Sequence, residues 1–174
     1  KIISSKMPIG INYNAGVSAQ LKSAVIFSGL NSYGTTLIKE KLISRDHTEN
    51  FLKSNTNTIK IINQKEKVIE IYGKKKLKSL NFKIPGDPSS AAFFTALTLL
   101  NKNSYIKILN VGLNKTRTGF FDILKKQKAK VKFLNIKKNN NEISGDIIVK
   151  SSKLKPFNVP ANLYPRTTDE YLIL

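Results

Sequence analysis

Ser18-Ala19-Gln20-Leu21-Lys22-Ser23-Ala24 is echoed 72 residues further on by Ser90-Ala91 and then Ala96. At the same shift Asn31-Ser32-Tyr33 falls on Asn103-Ser104-Tyr105, Leu37 on Leu109, Arg45 on Arg117 and Leu52-Lys53 on Leu124-Lys125, with no gap. A repeat of roughly 70 residues is longer than the helical pairs of a solenoid and is the size of a complete supersecondary unit. The chain therefore reads as a duplicated subdomain in which Ser18 and Ser90 open equivalent helices.

Hydrophobic spacing and chain breakers predict the same order of elements in both copies. The first has a strand near residues 11–13, a helix over 17–30, a strand over 35–39, a helix over 45–53 and strands over 58–62 and 68–72. The second has a strand near 80–84, a helix over 88–100, a strand over 105–110, a helix over 116–128 and strands over 130–134 and 146–150. The predicted fold class is α/β, built from repeated β-α-β-α-β-β units.

A chain of 174 residues, 40% hydrophobic and 24% charged, has material for one domain or two small ones. It has no cysteine, so disulfides and thiolate metal sites are excluded, and the single His47 excludes a histidine-clustered metal site. No apolar run approaches the roughly 18 residues of a membrane span, and the N-terminus lacks the apolar core of a signal peptide. The expected protein is soluble and cytoplasmic, with no membrane partner. Lys1 is not an initiator methionine, and Tyr171-Leu172-Ile173-Leu174 begins an apolar segment, so both ends read as cut.

The net charge of +19 invites a nucleic-acid reading, since a basic surface releases counterions from phosphate backbones. Its composition argues for a solvated, compositionally biased surface instead. Only Arg45, Arg117 and Arg166 among the 30 basic residues are arginine, and the lysines scatter among Ile and Asn. The runs Lys74-Lys75-Lys76 and Lys137-Lys138-Asn139-Asn140-Asn141 read as loops. A basic nucleic-acid-binding domain remains the rival from another class, and it predicts steeply salt-dependent binding.

Polar residues mark the helix starts. Ser18, Ser44, Ser89, Ser90 and Thr116 are placed to cap exposed N–H groups, and Pro88 suits a first helical turn. Helix starts also attract phosphate and carboxylate groups, so capping and anion binding both stand as readings. In a lysine-rich chain, arginine at the same place in both copies points to a planar fork that lysine cannot supply, either for a ligand or for a salt bridge. His47 reads as a helix-start hydrogen-bonding residue. A third helix start, Thr167-Thr168-Asp169-Glu170, carries two carboxylates that either cap the helix or, aimed into a cleft, transfer protons.

Five segments, in order, carry a resemblance: Ser18 to Ala24, Ser44-Arg45-Asp46-His47-Thr48-Glu49, Pro85-Gly86-Asp87-Pro88-Ser89-Ser90-Ala91-Ala92-Phe93, Asn114-Lys115-Thr116-Arg117-Thr118-Gly119 and Asp169-Glu170-Tyr171. Together they resemble the 5-enolpyruvylshikimate-3-phosphate synthase (3-phosphoshikimate 1-carboxyvinyltransferase) family. The resemblance implies the two-domain enolpyruvyl transferase fold, an inside-out α/β barrel of three β-α-β-α-β-β units per domain around a pseudo-threefold axis, here truncated at both ends. It implies transfer of the enolpyruvyl group of phosphoenolpyruvate to the 5-hydroxyl of shikimate 3-phosphate, on the way to chorismate. By motif, Ser18, Ala19 and Gln20 would bind shikimate 3-phosphate, with Gln20 also near phosphoenolpyruvate; Arg45 would help hold shikimate 3-phosphate, and Asp169 would accept the proton of the attacking hydroxyl. No metal or organic cofactor is implied, and the complete protein is expected to be a monomer.

The chain departs from the family pattern at Lys115, where proline is expected, and at Arg166 and Thr168, where smaller or apolar residues are usual. The family's N-terminal phosphate contacts and the segment beyond Asp169 are missing, so the piece alone is expected to be inactive. Residues 1–84 would end the first domain and residues 85–174 would hold one full unit and the start of the next in the second. The sister transferase acting on UDP-N-acetylglucosamine is the nearest enzymatic rival, and Ser-Ala-Gln with Arg-Asp-His-Thr-Glu favours the shikimate enzyme.

Overall fold

The computed structural model describes residues 5–63 and 66–174, which separate into two compact units, Lys1–Asn81 and Phe82–Leu174. The first unit is β-α-β-α-β-β: β1 (Asn12–Ala15), α1 (Ala19–Asn31), β2 (Thr35–Glu40), α2 (His47–Leu52), β3 (Ile59–Asn63) and β4 (Lys67–Tyr72). Its sheet runs β1-β2-β4-β3, with β1 parallel to β2 and the other pairs antiparallel. The parallel pair needs a crossover, and α1 supplies it. α1 turns Lys22, Ile26 and Gly29 inward at i, i+4 and i+7. β2 alternates, burying Thr36, Ile38 and Glu40. The apolar core joins Ile26, Ile38, Leu52, Ile59, Ile69 and Ile71, each contributing about 1.5–3 kcal/mol of burial. Helix and sheet approach closely at Gly29, where a Cβ would lie 2.9 Å from the Thr36 side chain.

The second unit follows the same order with α3 (Pro88–Leu100), β5 (Tyr105–Gly112), α4 (Gly119–Lys126), β6 (Val131–Asn139) and β7 (Glu142–Lys150). Its sheet is antiparallel throughout, in the order β5-β7-β6. After β7 come a 3₁₀ turn at Ala161–Leu163, the short helix α5 (Tyr164–Thr167) and a second 3₁₀ segment over Thr168–Ile173. The core packs Phe120 edge-to-face on Phe121 at 5.2 Å between ring centres, and Phe121 on Phe133 at 5.7 Å.

Four local expectations are corrected. The strand expected near 80–84 is absent, and only Gly86 bridges to Val111 in parallel. Gly86 N–H donates to Asn110 O and Gly112 N–H to Gly86 O, each at 2.8 Å, but the next rung would need the Asn110 N–H, which donates instead to Asp146 Oδ1 at 3.0 Å, and on the other side Pro88 has no N–H. The basic run at 137–141 is not a loop. β6 continues to Asn139, and Asn140 and Asn141, at φ 46° and 66°, turn the chain directly into β7. Two left-handed residues match the twist of a tight hairpin, and asparagine tolerates that conformation. The helix expected from Thr116 starts at Gly119, because Thr116 N–H and Oγ–H both donate to Asn114 Oδ1, at 2.9 and 2.8 Å. The third helix start is realised as α5 and 3₁₀ turns.

The register of the repeat also changes. The side-chain caps of the first helices are Ser18 and Asp87, 69 residues apart, and Ser90 lies inside α3. At that spacing the buried positions of α1, Lys22, Ile26 and Gly29, fall on Ala91, Thr95 and Thr98, all buried in α3. The second helices keep the gapless 72-residue spacing, His47 to Gly119. Extra residues between the first and second helices of the second copy absorb the difference, so Gln20 corresponds to Ser89 and Arg45 to Arg117.

Candidate functional site

In the first unit, Ser18 is the N-cap of α1, its Oγ accepting the Leu21 N–H at 3.3 Å and donating to Gln20 Oε1 at 3.4 Å. Ser18 and Ala19 are half-buried, Gln20 is exposed, and the first turn carries no acidic residue. The start of this 13-residue helix thus offers N–H donors and the positive end of the dipole to an anion. Arg45, half-buried, stands two residues before α2, and His47 is the exposed first residue of that helix.

Ser44 is not a helix cap. It is buried, and both its N–H (2.8 Å) and its Oγ–H (2.6 Å) donate to Glu40 Oε1. The same oxygen accepts from Lys22 Nζ at 2.9 Å. Lys22 Nζ also lies 2.8 Å from Glu49 Oε1, while Lys67 Nζ lies 2.8 Å from Glu49 Oε1 and 3.2 Å from Glu40 Oε2. Two lysines and two glutamates therefore form a neutral quartet, with side-chain exposures of 0% for Lys22 and Glu40, 1% for Glu49 and 10% for Lys67. Burial acts to raise the Glu40 carboxyl, but the hydrogen bonds from Ser44 and Lys22 outweigh it and hold it below its usual range. Burial acts to lower Lys67, and Glu49 and Glu40 together raise it instead. Ser23 Oγ and Thr48 Oγ1, 2.7 Å apart, add a second link between α1 and α2.

The motifs did not single out this quartet, although the signal was present. Lys22 sits on the core stripe of α1 with Ile26, and Glu40 sits on the core face of β2 with Ile38. Opposite charges at two inward positions are the mark of a buried pair.

In the second unit, Asp87 caps α3 by accepting the Ser90 N–H at 3.1 Å. Arg117 Nη2 reaches Asp87 Oδ1 at 2.8 Å, Ser89 Oγ at 2.6 Å and Asp169 Oδ2 at 3.7 Å. Burial would raise the Asp87 carboxyl, but the Ser90 and Ser89 N–H groups and the Arg117 guanidinium hold it below the usual range. Asp169 is exposed, and its neighbour Glu170 is buried and accepts from Ser89 Oγ at 2.5 Å. Arg166 anchors the same segment, donating to Lys115 O at 2.7 Å and pairing with Asp122. Gly119 has no room for a Cβ, which would lie 2.6 Å from Thr167 Cγ2 and 2.7 Å from Arg166 O. Ser18, Ala19, Gln20 and Arg45 thus belong to one unit and Asp169 to the other. Among the described residues, no group of three or more His, Cys, Asp or Glu side chains could hold a metal ion. No helix there is long and apolar enough to cross a membrane.

Fold and site together define a duplicated α/β protein with the enolpyruvyl transferase architecture. The family model described as EPSP synthase (3-phosphoshikimate 1-carboxyvinyltransferase) matches residues 3–169. The chain is 40% identical over 171 residues to the 3-phosphoshikimate 1-carboxyvinyltransferase of Endomicrobium trichonymphae, covering 97% of this chain and 39% of that protein. It is 44% identical over 158 residues to that of Petrotoga mobilis, covering 90% and 36%. The solved structure of EPSP synthase from Acinetobacter baumannii overlays with a TM-score of 0.79 at 34% identity, covering 95% of this chain and 37% of that one. The chain belongs to the EPSP synthase family, and it spans about two fifths of the length of the curated relatives it matches.

Proposed function

We propose that the protein to which this chain belongs transfers the enolpyruvyl group of phosphoenolpyruvate to the 5-hydroxyl of shikimate 3-phosphate. Ser18, Ala19, Gln20 and Arg45 bind shikimate 3-phosphate, and Asp169 accepts the proton of the attacking hydroxyl. A tetrahedral adduct forms and then eliminates phosphate. Residues 1–84 end the first domain, and residues 85–174 hold one full unit and the start of the next in the second. The reading carries with it a cytoplasmic monomer working without metal or organic cofactor.

The observation that carries it is an asymmetry between the two copies. In the second unit the arginine preceding the second helix pairs with a carboxylate built into the chain, Asp87, at the N-cap of the first helix. In the first unit that N-cap is the neutral Ser18, and the corresponding arginine is Arg45. The start of α1 thus carries no carboxylate of its own, neither at the cap nor in the first turn, which suits it to an anionic substrate. Helix N–H donors and an arginine fork each suit a phosphate dianion.

Calorimetric titration of the complete protein tests this: shikimate 3-phosphate binds, UDP-N-acetylglucosamine does not, and Arg45→Lys weakens shikimate 3-phosphate about tenfold. Asp169→Asn leaves that binding intact and lowers turnover by about 10²–10⁴. Near-normal turnover in Asp169→Asn removes the assigned proton acceptor, and binding of the UDP-sugar favours the sister transferase.

A further inference from the structure

We infer that the buried quartet Lys22, Glu40, Glu49 and Lys67 positions the Ser44-Arg45 turn for the substrate phosphate, with Glu40 the positioning residue. This rests on the reading of Ser18, Gln20 and Arg45 as the shikimate 3-phosphate site.

The second unit shows that the fold does not need these charges. Position by position, Lys22 corresponds to Ala91 and Glu49 to Phe121, both buried in an apolar core. Replacing buried ion pairs by well-packed apolar groups is often neutral or stabilising, so stability alone does not account for four charged groups in one copy. What the quartet does that an apolar cluster cannot is hold a backbone N–H. Glu40 Oε1 takes the Ser44 N–H and hydroxyl together with Lys22 Nζ, which fixes the residue before Arg45 against the fourth residue of α1. Ionic hydrogen bonds are short and directional, so they set the turn more sharply than dispersion contacts would. The two lysines cancel the two carboxylates, leaving no net negative charge beneath a phosphate site.

Glu40→Gln removes the charge and Ser44→Ala removes one hydrogen bond while leaving the quartet whole. In the complete protein, Ser44→Ala raises the Kd and KM for shikimate 3-phosphate about tenfold, with the KM for phosphoenolpyruvate and kcat changed less than about threefold. Glu40→Gln shows the same split, with a larger loss. Ser44→Thr, which keeps the hydroxyl, restores most of the affinity. A purely structural role lowers the thermal midpoint and leaves the affinity of the folded fraction within twofold of the parent, which overturns the inference. Equal losses for both substrates, or no recovery in Ser44→Thr, overturn it as well. Wild-type protein that fails to bind shikimate 3-phosphate overturns the functional reading itself, and is told apart by being measured first.

Discussion

Asp146 shows how much one side chain organises. It lies on the central strand β7 between two irregular ladders, and the register shifts at 108–111 on one side and 134–137 on the other. Its carboxylate accepts the Asn110 N–H at 3.0 Å and Asn135 Nδ2 at 2.8 Å, and both asparagines are at φ 49°. These bonds, with Lys107, hold the carboxyl at about 2 rather than its ordinary 3.8. A depressed carboxyl contributes stability above its unfolded value and loses it as pH falls through the folded one. Asp146→Asn should therefore lower stability at roughly pH 5, with the two unfolding curves converging as the pH approaches about 2. Denaturant melts across that range check it. At Gly119, an alanine Cβ would meet Thr167 and the Arg166 backbone. Gly119→Ala should cost about 1–3 kcal/mol and displace the segment carrying Asp169, seen as a lower thermal midpoint together with lower turnover in the complete protein.

At the scale of elements, α1 and α3 are the same 13-residue helix with different inner faces. α3 buries Ala91, Thr95 and Thr98, with Thr95 and Thr98 returning their hydroxyls to the Ala91 and Phe94 carbonyls at 2.8 Å. α1 instead buries Lys22 against two carboxylates. Removing that ammonium leaves Glu40 and Glu49 with Lys67 alone, and an uncompensated buried charge is expensive. Lys22→Met should destabilise the first unit by about 3–5 kcal/mol in urea unfolding. A loss below about 1 kcal/mol would show that the carboxylates take up protons or water instead.

For the whole molecule, the exposed apolar surface is the dominant fact. Phe93, Phe94, Leu97 and Leu100 stand out of α3 with exposures of 55%, 55%, 61% and 77%, and Leu21 and Phe27 of α1 are more than half exposed. Large exposed apolar faces mark interaction surfaces or association hazards. The 174-residue chain on its own should associate with increasing concentration, read by sedimentation velocity, and should show no enolpyruvyl transfer in a phosphate-release assay.

The order of elements was legible in the residues because hydrophobic periodicity and breakers are local. All six strands and helices of the first unit, and α3 from Pro88 to Leu100, lie where the pattern put them within a few residues. The five spaced motifs likewise carried the resemblance to the family that the family model matches over residues 3–169. The tertiary structure decided the rest. It moved the helix register from Ser90 to Asp87, because capping depends on which side chain meets which N–H and not on identity at a fixed shift. It carried β6 through a lysine-rich run, because two asparagines accept a left-handed turn. It also drew Lys22, Glu40, Glu49 and Lys67, up to 45 residues apart, into one neutral cluster. Each of those charges, taken alone, is costly to bury; burial becomes tolerable only when the opposite charge arrives from another element, which is a property of the folded chain.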